Sequence, residues 1–151
     1  MCGNLGVQKE EKNVNYRGMM TNRKYIIDTD TWVFLGRGKS FIQDKINQVG
    51  VANCFLSEIS LAELYLGVYK GRGKEPFVSY LEENFKVLPI SPSLKTFAKT
   101  RAYLEQNGIR LEDLDIFIAA MALDMDYTLV THNTRHFSRI PYLKIEDWVQ
   151  E

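Results

Sequence analysis

Short apolar runs alternate with longer segments of helical character along most of this chain. The pattern predicts strands at residues 25–29, 52–56, 87–90 and 128–131, with a candidate last strand at residues 143–145. It predicts helices at residues 30–35, 40–49, 57–69, 75–85, 93–106 and 113–125. Strands that are separated by helices form βαβ units with parallel pairing. We therefore predict an α/β fold, a three-layer α/β/α sandwich with a four- or five-stranded, mainly parallel sheet.

The length of the chain, 151 residues, is that of a single domain. Residues 1–23 are polar and show no periodicity, which is typical of a flexible N-terminal tail. Met19 and Met20 stand just before the first strand, so this tail could lie upstream of the true start. We place the folded domain at residues 24–151.

Composition narrows the class of protein. Lysine and arginine number 19, as do aspartate and glutamate, so the formal net charge is zero and any nucleic-acid-binding surface must be local. No segment approaches the roughly 20 apolar residues of a membrane span, and no secretory signal opens the chain. Cys2 and Cys54 form no CxxC pair and are expected to be free thiols. These features predict a cytoplasmic protein that does not bind membranes.

Three acids and one amide stand in apolar surroundings, where such side chains are uncommon. Asp28 follows the first strand, Glu63 interrupts an apolar helix, Asp115 lies in the first turn of another, and Asn133 follows a late strand. Each also has a plain explanation, respectively a helix cap, a salt bridge, a helix-dipole charge and a turn. Carboxylates aimed at one point repel each other unless a cation neutralises them. A cluster of these residues would therefore indicate a hard divalent metal ion.

A more specific signal comes from four segments taken in their order along the chain. They are Ile26-Ile27-Asp28-Thr29-Asp30, Ile59-Ser60-Leu61-Ala62-Glu63-Leu64, Leu114-Asp115-Ile116-Phe117-Ile118-Ala119-Ala120 and Thr128-Leu129-Val130-Thr131-His132-Asn133-Thr134-Arg135-His136-Phe137. Together they resemble the motifs of PIN-domain nucleases, especially the VapC-type toxins of bacterial toxin–antitoxin pairs. The resemblance extends from about Tyr25 to Trp148. It implies a PIN-like fold and a metal-dependent endoribonuclease, the toxin of such a pair, that hydrolyses RNA phosphodiester bonds with a water nucleophile.

The resemblance also implies roles for individual residues. Asp28, Glu63 and Asp115 match the three acidic metal-site positions, and Asn133 matches a fourth catalytic position where many members have aspartate. Because the amide removes one charge, we expect one firmly held metal ion and a second that needs substrate. Asp30 is an additional candidate ligand. The implied cofactor is Mg²⁺, for which Mn²⁺ can substitute, and the implied partners are RNA, a small cognate antitoxin and a second copy of the chain in a homodimer.

Basic side chains that could contact RNA phosphates lie in two glycine-containing loops and beside the candidate site. They are Arg37 and Lys39 in the first loop, Lys70, Arg72 and Lys74 in the second, and Arg135 beside Asn133. Each could equally be a solvated surface charge. A set of apolar residues on the early helices could line an antitoxin-binding groove or belong to the core. They are Trp32, Phe34, Leu35 and Phe41.

Two other functions remain open. The pair Asp28 and Asp30 is similar to the start of haloacid-dehalogenase-like phosphatases, where a strand-end aspartate is the phosphoryl nucleophile. A catalytically weak PIN-like binding module is also possible, although acids at three of the four positions argue against it. A Walker A loop ending at Ser40 is rejected, because Val33 replaces its first glycine. His132 and His136 have the spacing of a zinc pair, but no third ligand is evident and surface histidines are the preferred interpretation.

Overall fold

Five strands and seven helices form the part of the chain that the structure, a computed structural model, describes, which is residues 23–150. The strands are β1 (Tyr25–Ile27), β2 (Cys54–Ser57), β3 (Lys86–Leu88), β4 (Thr128–Val130) and β5 (Ile145–Glu146). The helices are α1 (Thr29–Gly36), α2 (Ser40–Val49), α3 (Glu58–Tyr69), α4 (Glu75–Asn84), α5 (Leu94–Gln106), α6 (Asp113–Met125) and α7 (Thr134–Phe137). Short 3-10 turns at Val51–Asn53 and Ser91–Ser93 precede β2 and α5.

The strands pair in parallel throughout, in the order β3-β2-β1-β4-β5. Ile26 in the central strand β1 lies opposite Phe55 of β2 and Leu129 of β4. The prediction of a mainly parallel α/β sheet is thus confirmed, with five strands. Because β1 and β4 are neighbours, the residues that follow them, Asp28 and Asn133, leave the sheet at the same edge.

Side chains of β1 alternate between two apolar layers, as the period of a strand requires. Ile27 packs in the layer formed with α1, α2 and α4, whereas Ile26 packs in the layer formed with α5, α6 and α7. Helix α3 contributes to both layers, since Leu64 packs in the first and Ile59 in the second. Each fully buried side chain of this kind contributes about 1.5–3 kcal/mol of transfer free energy. The two layers therefore hold the sheet, and with it the strand ends, in one arrangement.

Element boundaries differ from the sequence-based prediction at several places. β1 ends at Ile27 rather than at residue 29, because α1 begins at Thr29 and Asp28 caps it. β3 begins one residue earlier than predicted, at Lys86, and the last strand comprises Ile145–Glu146. Helix α7 was not predicted, because a helix of one turn is too short to show an apolar period.

The apolar residues of α1 and α2 that could line an antitoxin-binding groove differ in burial. Trp32 is 0% exposed and belongs to the core, so for this residue the core alternative holds. The other three are half-buried against the same core; they are Phe34, Leu35 and Phe41. Burial raises the pKa of the Cys54 thiol to about 12, so it stays protonated.

Part of the sequence-based prediction cannot be compared with the fold. Cys2 and the predicted tail at residues 1–23, Arg23 apart, lie outside the described residues. Within residues 23–150, no helix combines the length and the apolar character that crossing a membrane requires.

Candidate metal centre

Asp28 is held at the junction of β1, α1 and β4. Its backbone N–H donates to the Val130 carbonyl over 2.8 Å, which continues the strand pairing by one residue. The Thr29 N–H donates to its Oδ1 over 2.9 Å, and the Thr131 hydroxyl donates to its Oδ2 over 2.8 Å. The helix cap therefore accounts for one carboxylate oxygen only. The second oxygen is bound by a residue 103 positions away, so the side chain does more than cap α1.

Burial makes the charge on Asp28 costly. The residue is 8% exposed, and burial together with the neighbouring Asp30 raises its pKa from 3.8 to about 7. The hydrogen bonds from Thr131 and Thr29 lower this pKa and Asp115 raises it slightly further. A shift of this size means that local hydrogen bonds do not compensate the lost hydration. A cation bound nearby would do so.

Asp30 lies in the first turn of α1, facing the loop after β4. Its Oδ2 accepts from the His132 N–H over 3.2 Å, and its Oδ1 accepts from the Thr31 hydroxyl over 3.1 Å. Burial raises its pKa, while the hydrogen bonds from Thr31 and His132 lower it. Asp30 is close enough to Asp28 to raise the pKa of that carboxyl, so the two acids belong to one electrostatic cluster.

Glu63 reaches the cluster from the middle of α3. The Thr29 hydroxyl donates to its Oε1 over 2.7 Å and lies 3.0 Å from the Ser60 hydroxyl. Burial raises the pKa of Glu63, and the charges of Asp115 and Asp30 raise it further. Within residues 23–150 no lysine or arginine forms an ion pair with it. The salt bridge considered as its plain explanation is therefore absent from this part of the chain.

Asp115 enters from the first turn of α6 and has a histidine partner. Its Oδ2 lies 3.0 Å from Nε2 of His136, and both side chains are mostly covered, with exposures of 28% and 22%. Nδ1 of His136 lies 3.2 Å from a terminal nitrogen of Arg139. Arginine can only donate, so Nδ1 accepts and the ring proton sits on Nε2, where it is donated to Asp115. The interpretation of His136 as a plain surface histidine is thus wrong.

The other histidine has a different environment. His132 is more exposed, and its Nδ1 lies 3.0 Å from Oδ2 of Asp147. Since His132 and His136 contact different carboxylates, they do not form a zinc pair. Among the described residues, no three histidine, cysteine or acidic side chains already converge on one point in metal-binding geometry.

Asn133 lies at the border of the acidic cluster. Its side chain is exposed, and its backbone N–H donates to the Thr131 hydroxyl over 3.0 Å. It lines a cavity of about 320 Å³ together with Arg135, His136 and Arg139. Asn133 thus lines the same cavity as His136, the partner of Asp115, and within residues 23–150 its side chain forms no hydrogen bond with the carboxylates.

The donor set suits a hard divalent cation. Asp28, Asp30, Glu63 and Asp115 offer carboxylate oxygens, and each affects the pKa of at least one other in the set or is affected by it. Mg²⁺ prefers oxygen ligands and keeps several waters, so the carboxylates need not all touch it. Burial raises the pKa values of Asp28, Asp30 and Glu63, and neighbouring acids raise those of Asp28 and Glu63 further, so a bound cation would stabilise their charged forms. The residues present therefore fit a magnesium ion.

The basic candidates are divided between two parts of the molecule. Arg37 and Lys39 follow the C-terminal end of α1, about 12 Å from the end that Asp28 caps, given the rise of a helix over eight residues. Lys70 and Arg72 follow the end of α3, Lys74 precedes α4, and all three are exposed. Of the six candidates, Arg135 shares a cavity with the site residues Asn133 and His136. The structure therefore brings one of these six basic residues to the border of the acidic cluster.

Sequence reasoning missed three residues that hold the acids. Thr29, Thr131 and His136 bind Glu63, Asp28 and Asp115, respectively. A threonine within two residues of the end of each strand was a usable signal for Thr29 and Thr131. The histidine contact depends on α7, which the sequence pattern did not reveal.

The fold and the clustered acids define a class of protein. A family model described as the PIN domain matches residues 25–142, and the chain belongs to the PIN-domain family. Ribonuclease VapC2 of Rickettsia felis is 31% identical over 130 residues, covering 82% of this chain and 97% of that protein. The tRNA(fMet)-specific endonuclease VapC of Salmonella typhimurium is 30% identical over 130 residues, covering 83% and 98%.

Solved structures agree with these sequence relationships. DNA-bound VapBC from Salmonella typhimurium has a TM-score of 0.76 and 30% identity, covering 84% of this chain and 99% of that one. VapBC2 from Rickettsia felis, bound to a DNA fragment from its promoter, has a TM-score of 0.75 and 29% identity, covering 83% and 98%. The resemblance to the VapC branch is confirmed, and it favours a nuclease over a phosphatase.

Proposed function

We propose that the protein is a metal-dependent endoribonuclease that hydrolyses RNA phosphodiester bonds and acts as the toxin of a toxin–antitoxin pair. The main support is the cluster of Asp28, Asp30, Glu63 and Asp115 at the carboxyl edge of the sheet, where three of the four have raised pKa values. Relatives over most of the chain are named ribonucleases, and one is named a tRNA endonuclease.

Asp28, Glu63 and Asp115 would hold Mg²⁺ or Mn²⁺, with Asp30 as an additional ligand and Asn133 beside them. When bound, the ion supplies a coordinated water of lowered pKa and neutralises charge on the phosphate. The chain's own residues orient the ligands. Thr131 and Thr29 fix the carboxylate of Asp28 through hydrogen bonds of 2.8 and 2.9 Å, the latter from the backbone.

Two further contacts orient the remaining carboxylates. The Thr29 hydroxyl holds Glu63 over 2.7 Å, and His136 holds Asp115 over 3.0 Å. Partners of this kind keep metal ligands in place before the ion arrives, and their loss typically lowers metal affinity about 10- to 100-fold. These hydrogen bonds therefore orient the carboxylates individually, and binding of the ion would draw them together.

The partners follow from the same relationships. The similar structures are VapBC complexes, so we propose a small antitoxin as the protein partner. We also propose a homodimer and a cytoplasmic location. Phe34, Leu35 and Phe41 are candidates for the antitoxin contact because they are only half-buried. The name of the Salmonella relative makes initiator tRNA the first RNA to test.

Purified protein incubated with initiator tRNA, total tRNA and ribosomal RNA provides the test. We expect cleavage with Mg²⁺ or Mn²⁺ and none after EDTA, with recovery when metal is returned. Cleavage that persists in EDTA would refute metal dependence. Release of phosphate from a small phosphoester without RNA cleavage would favour the phosphatase, and binding without cleavage under all conditions would favour the binding module.

A further inference from the structure

Three concave regions lie along the start of α6 and helix α7. The first, about 440 Å³, is lined by Glu63, Asp115 and Leu111 among others. The second, about 520 Å³, shares Leu111 and also reaches Arg110 and His136. The third is the 320 Å³ cavity, which again includes His136. The three regions adjoin, because each shares a lining residue with the next, and together they form the depression beside Glu63 and Asp115.

Each end of this depression carries an arginine that has no ion pair within residues 23–150, although the Arg110 end is also lined by Glu105 and Glu112. Arg110, in the loop before α6, is exposed and makes no ion pair or side-chain hydrogen bond with another of the described residues. The neighbouring Arg101 is different, since it already pairs with Glu105 over 2.9 Å and Asp113 over 3.0 Å. Arg110 is therefore the cation available at this end.

Arg135 and Arg139 supply the opposite end. Arg139 uses its Nε on the His136 carbonyl and one terminal nitrogen on His136 Nδ1. A guanidinium has five N–H donors, so three donors of Arg139 are not used by these two contacts. The guanidinium of Arg135 makes no contact of this kind within residues 23–150. Both arginines line the same cavity, so unused donors collect there.

His136 fixes the distance between this cationic end and the acids. It bridges Asp115, 3.0 Å from Nε2, and Arg139, 3.2 Å from Nδ1. One imidazole ring thus separates the guanidinium from a proposed metal ligand. A strand whose reacting phosphate sits at the acids would place a neighbouring phosphate within reach of this arginine.

We propose that the depression, here called the α6–α7 groove and defined by Arg110, His136, Asn133, Arg135 and Arg139, binds the RNA backbone on both sides of the reacting phosphate. Arg110 contacts the backbone on one side, and Arg135 and Arg139 contact it on the other. This inference rests on the proposed ribonuclease function and specifies where the RNA substrate binds. A polyanion matches the pattern, because arginines without ion pairs among the described residues flank a centre where only a metal-bridged phosphate escapes repulsion by the acids.

The groove differs from the track that the glycine loops suggested. Arg37, Lys39 and Arg72 follow the far ends of α1 and α3, away from Asp115. Arg110 and Arg139 were not singled out in the sequence, because the loop before α6 and helix α7 come together only in the fold. The two sets of basic residues therefore predict different RNA-binding surfaces.

The test compares Arg110→Gln, Arg139→Gln and the double variant with Lys86→Gln, which removes an exposed charge at the amino end of the edge strand β3. Binding of a short fluorescein-labelled RNA hairpin is measured by anisotropy over a series of salt concentrations, with Mg²⁺ present and Asp28→Asn in every protein to prevent cleavage. Each groove variant should bind about tenfold more weakly. Its salt slope should be smaller by about 0.7–0.9 for each lost phosphate contact. Lys86→Gln should match the parent.

Steady-state cleavage by the same variants, with Asp28 intact, separates binding from positioning. Arg110→Gln should raise KM with kcat retained, since it removes a contact that is equal in ground and transition states. A fall in kcat alone for Arg139→Gln would overturn its assignment to backbone binding and make it a positioning residue for His136. Melting temperatures within a few degrees of wild type establish that the variants are folded.

Other outcomes separate the two proposals. If wild type cleaves RNA with metal but the groove variants behave like Lys86→Gln, the groove proposal fails and the nuclease proposal stands. If wild type neither binds nor cleaves any RNA offered, both fail. Weaker binding of the antitoxin with unchanged RNA binding would also overturn the groove proposal, since the arginines would then serve the protein partner.

Discussion

Both ends of the sheet carry ionisable residues, but the two ends differ in whether these residues have partners of opposite charge. At the amino ends of β1 and β4 lies the larger cavity, about 830 Å³. There the Lys144 ammonium pairs with Asp126 over 2.8 Å, and the Lys24 ammonium lies 5.9 and 5.7 Å from the ring centres of Phe55 and Tyr127. At the carboxyl end, Asp28, Asp30 and Glu63 have no lysine or arginine partner within residues 23–150.

Charge compensation, and not cavity size, distinguishes the two ends. The cavity at the amino end does contain one exception, since Oε2 of Glu146, which lines it, is buried without a hydrogen-bond partner among the described residues. Its other charges are neutralised or solvated, so little is gained by binding an ion there. At the carboxyl end, burial raises the pKa of three acids, which marks a place where a cation would stabilise the fold.

Matched substitutions of one aspartate at each end should produce the largest difference. We expect Asp28→Asn to lower kcat/KM for RNA cleavage by about 10³-fold, because it weakens charge stabilisation worth several kcal/mol. Asp126→Asn should leave kcat/KM within about twofold, and asparagine tolerates the left-handed backbone at this position, where φ is 54°. Equal losses in the two variants would remove the distinction between the ends.

The pH dependence of stability should also separate the ends. Because the pKa of Asp28 rises from 3.8 to about 7 on folding, its protonated form favours the folded state. This contribution is complete below about pH 4 and is lost as the pH rises through about 7. Without metal, the free energy of unfolding of wild type relative to Asp28→Asn should fall by on the order of 2–4 kcal/mol between these limits.

Urea denaturation of both proteins at several pH values measures this difference. The Asp126→Asn variant is the control and should follow wild type, since Asp126 is exposed. Adding Mg²⁺ at about 100 times its Kd above pH 7 should restore about 2.7 kcal/mol to wild type. The same addition should do little for Asp28→Asn. If the difference in the free energy of unfolding between wild type and Asp28→Asn does not change with pH, folding does not raise the pKa of Asp28.

A smaller effect is expected from the hydroxyl that orients Glu63. Thr29→Val removes the 2.7 Å hydrogen bond and leaves the shape of the side chain, so Mg²⁺ affinity should fall about tenfold. Thr29→Ser keeps the hydroxyl and should retain wild-type affinity. Isothermal titration calorimetry measures both. If the valine variant binds Mg²⁺ as wild type does, Glu63 needs no orientation or is not a ligand.

The smallest effect should come from the ion pair at the amino end. Lys144→Ala breaks the contact with Asp126, whose two side chains are 57% and 83% exposed. Exposed pairs of this kind contribute about 0–1 kcal/mol, so the free energy of unfolding should change by no more than that. RNA cleavage should be unchanged. A large loss of activity would mean that the amino end takes part in function after all.

Much of the fold and part of the site could be predicted from local pattern. The apolar runs before Asp28 and Asn133 indicated strands, and the inward spacing of Asp115 on its helix indicated a buried-facing acid. The errors have a common cause. A one-turn helix such as α7 carries no period, and the partner of a histidine on it cannot be read from neighbouring residues.

The sequence by itself determined the class of fold and the placement of acids at strand and helix ends, because apolar periodicity and caps are local properties of the chain. Only the tertiary structure decided which atoms meet. Thr131 binds Asp28 from 103 residues away, and His136 joins Asp115 to Arg139. These contacts depend on β1 lying beside β4 and on two apolar layers holding the helices, which are properties of the whole packed chain.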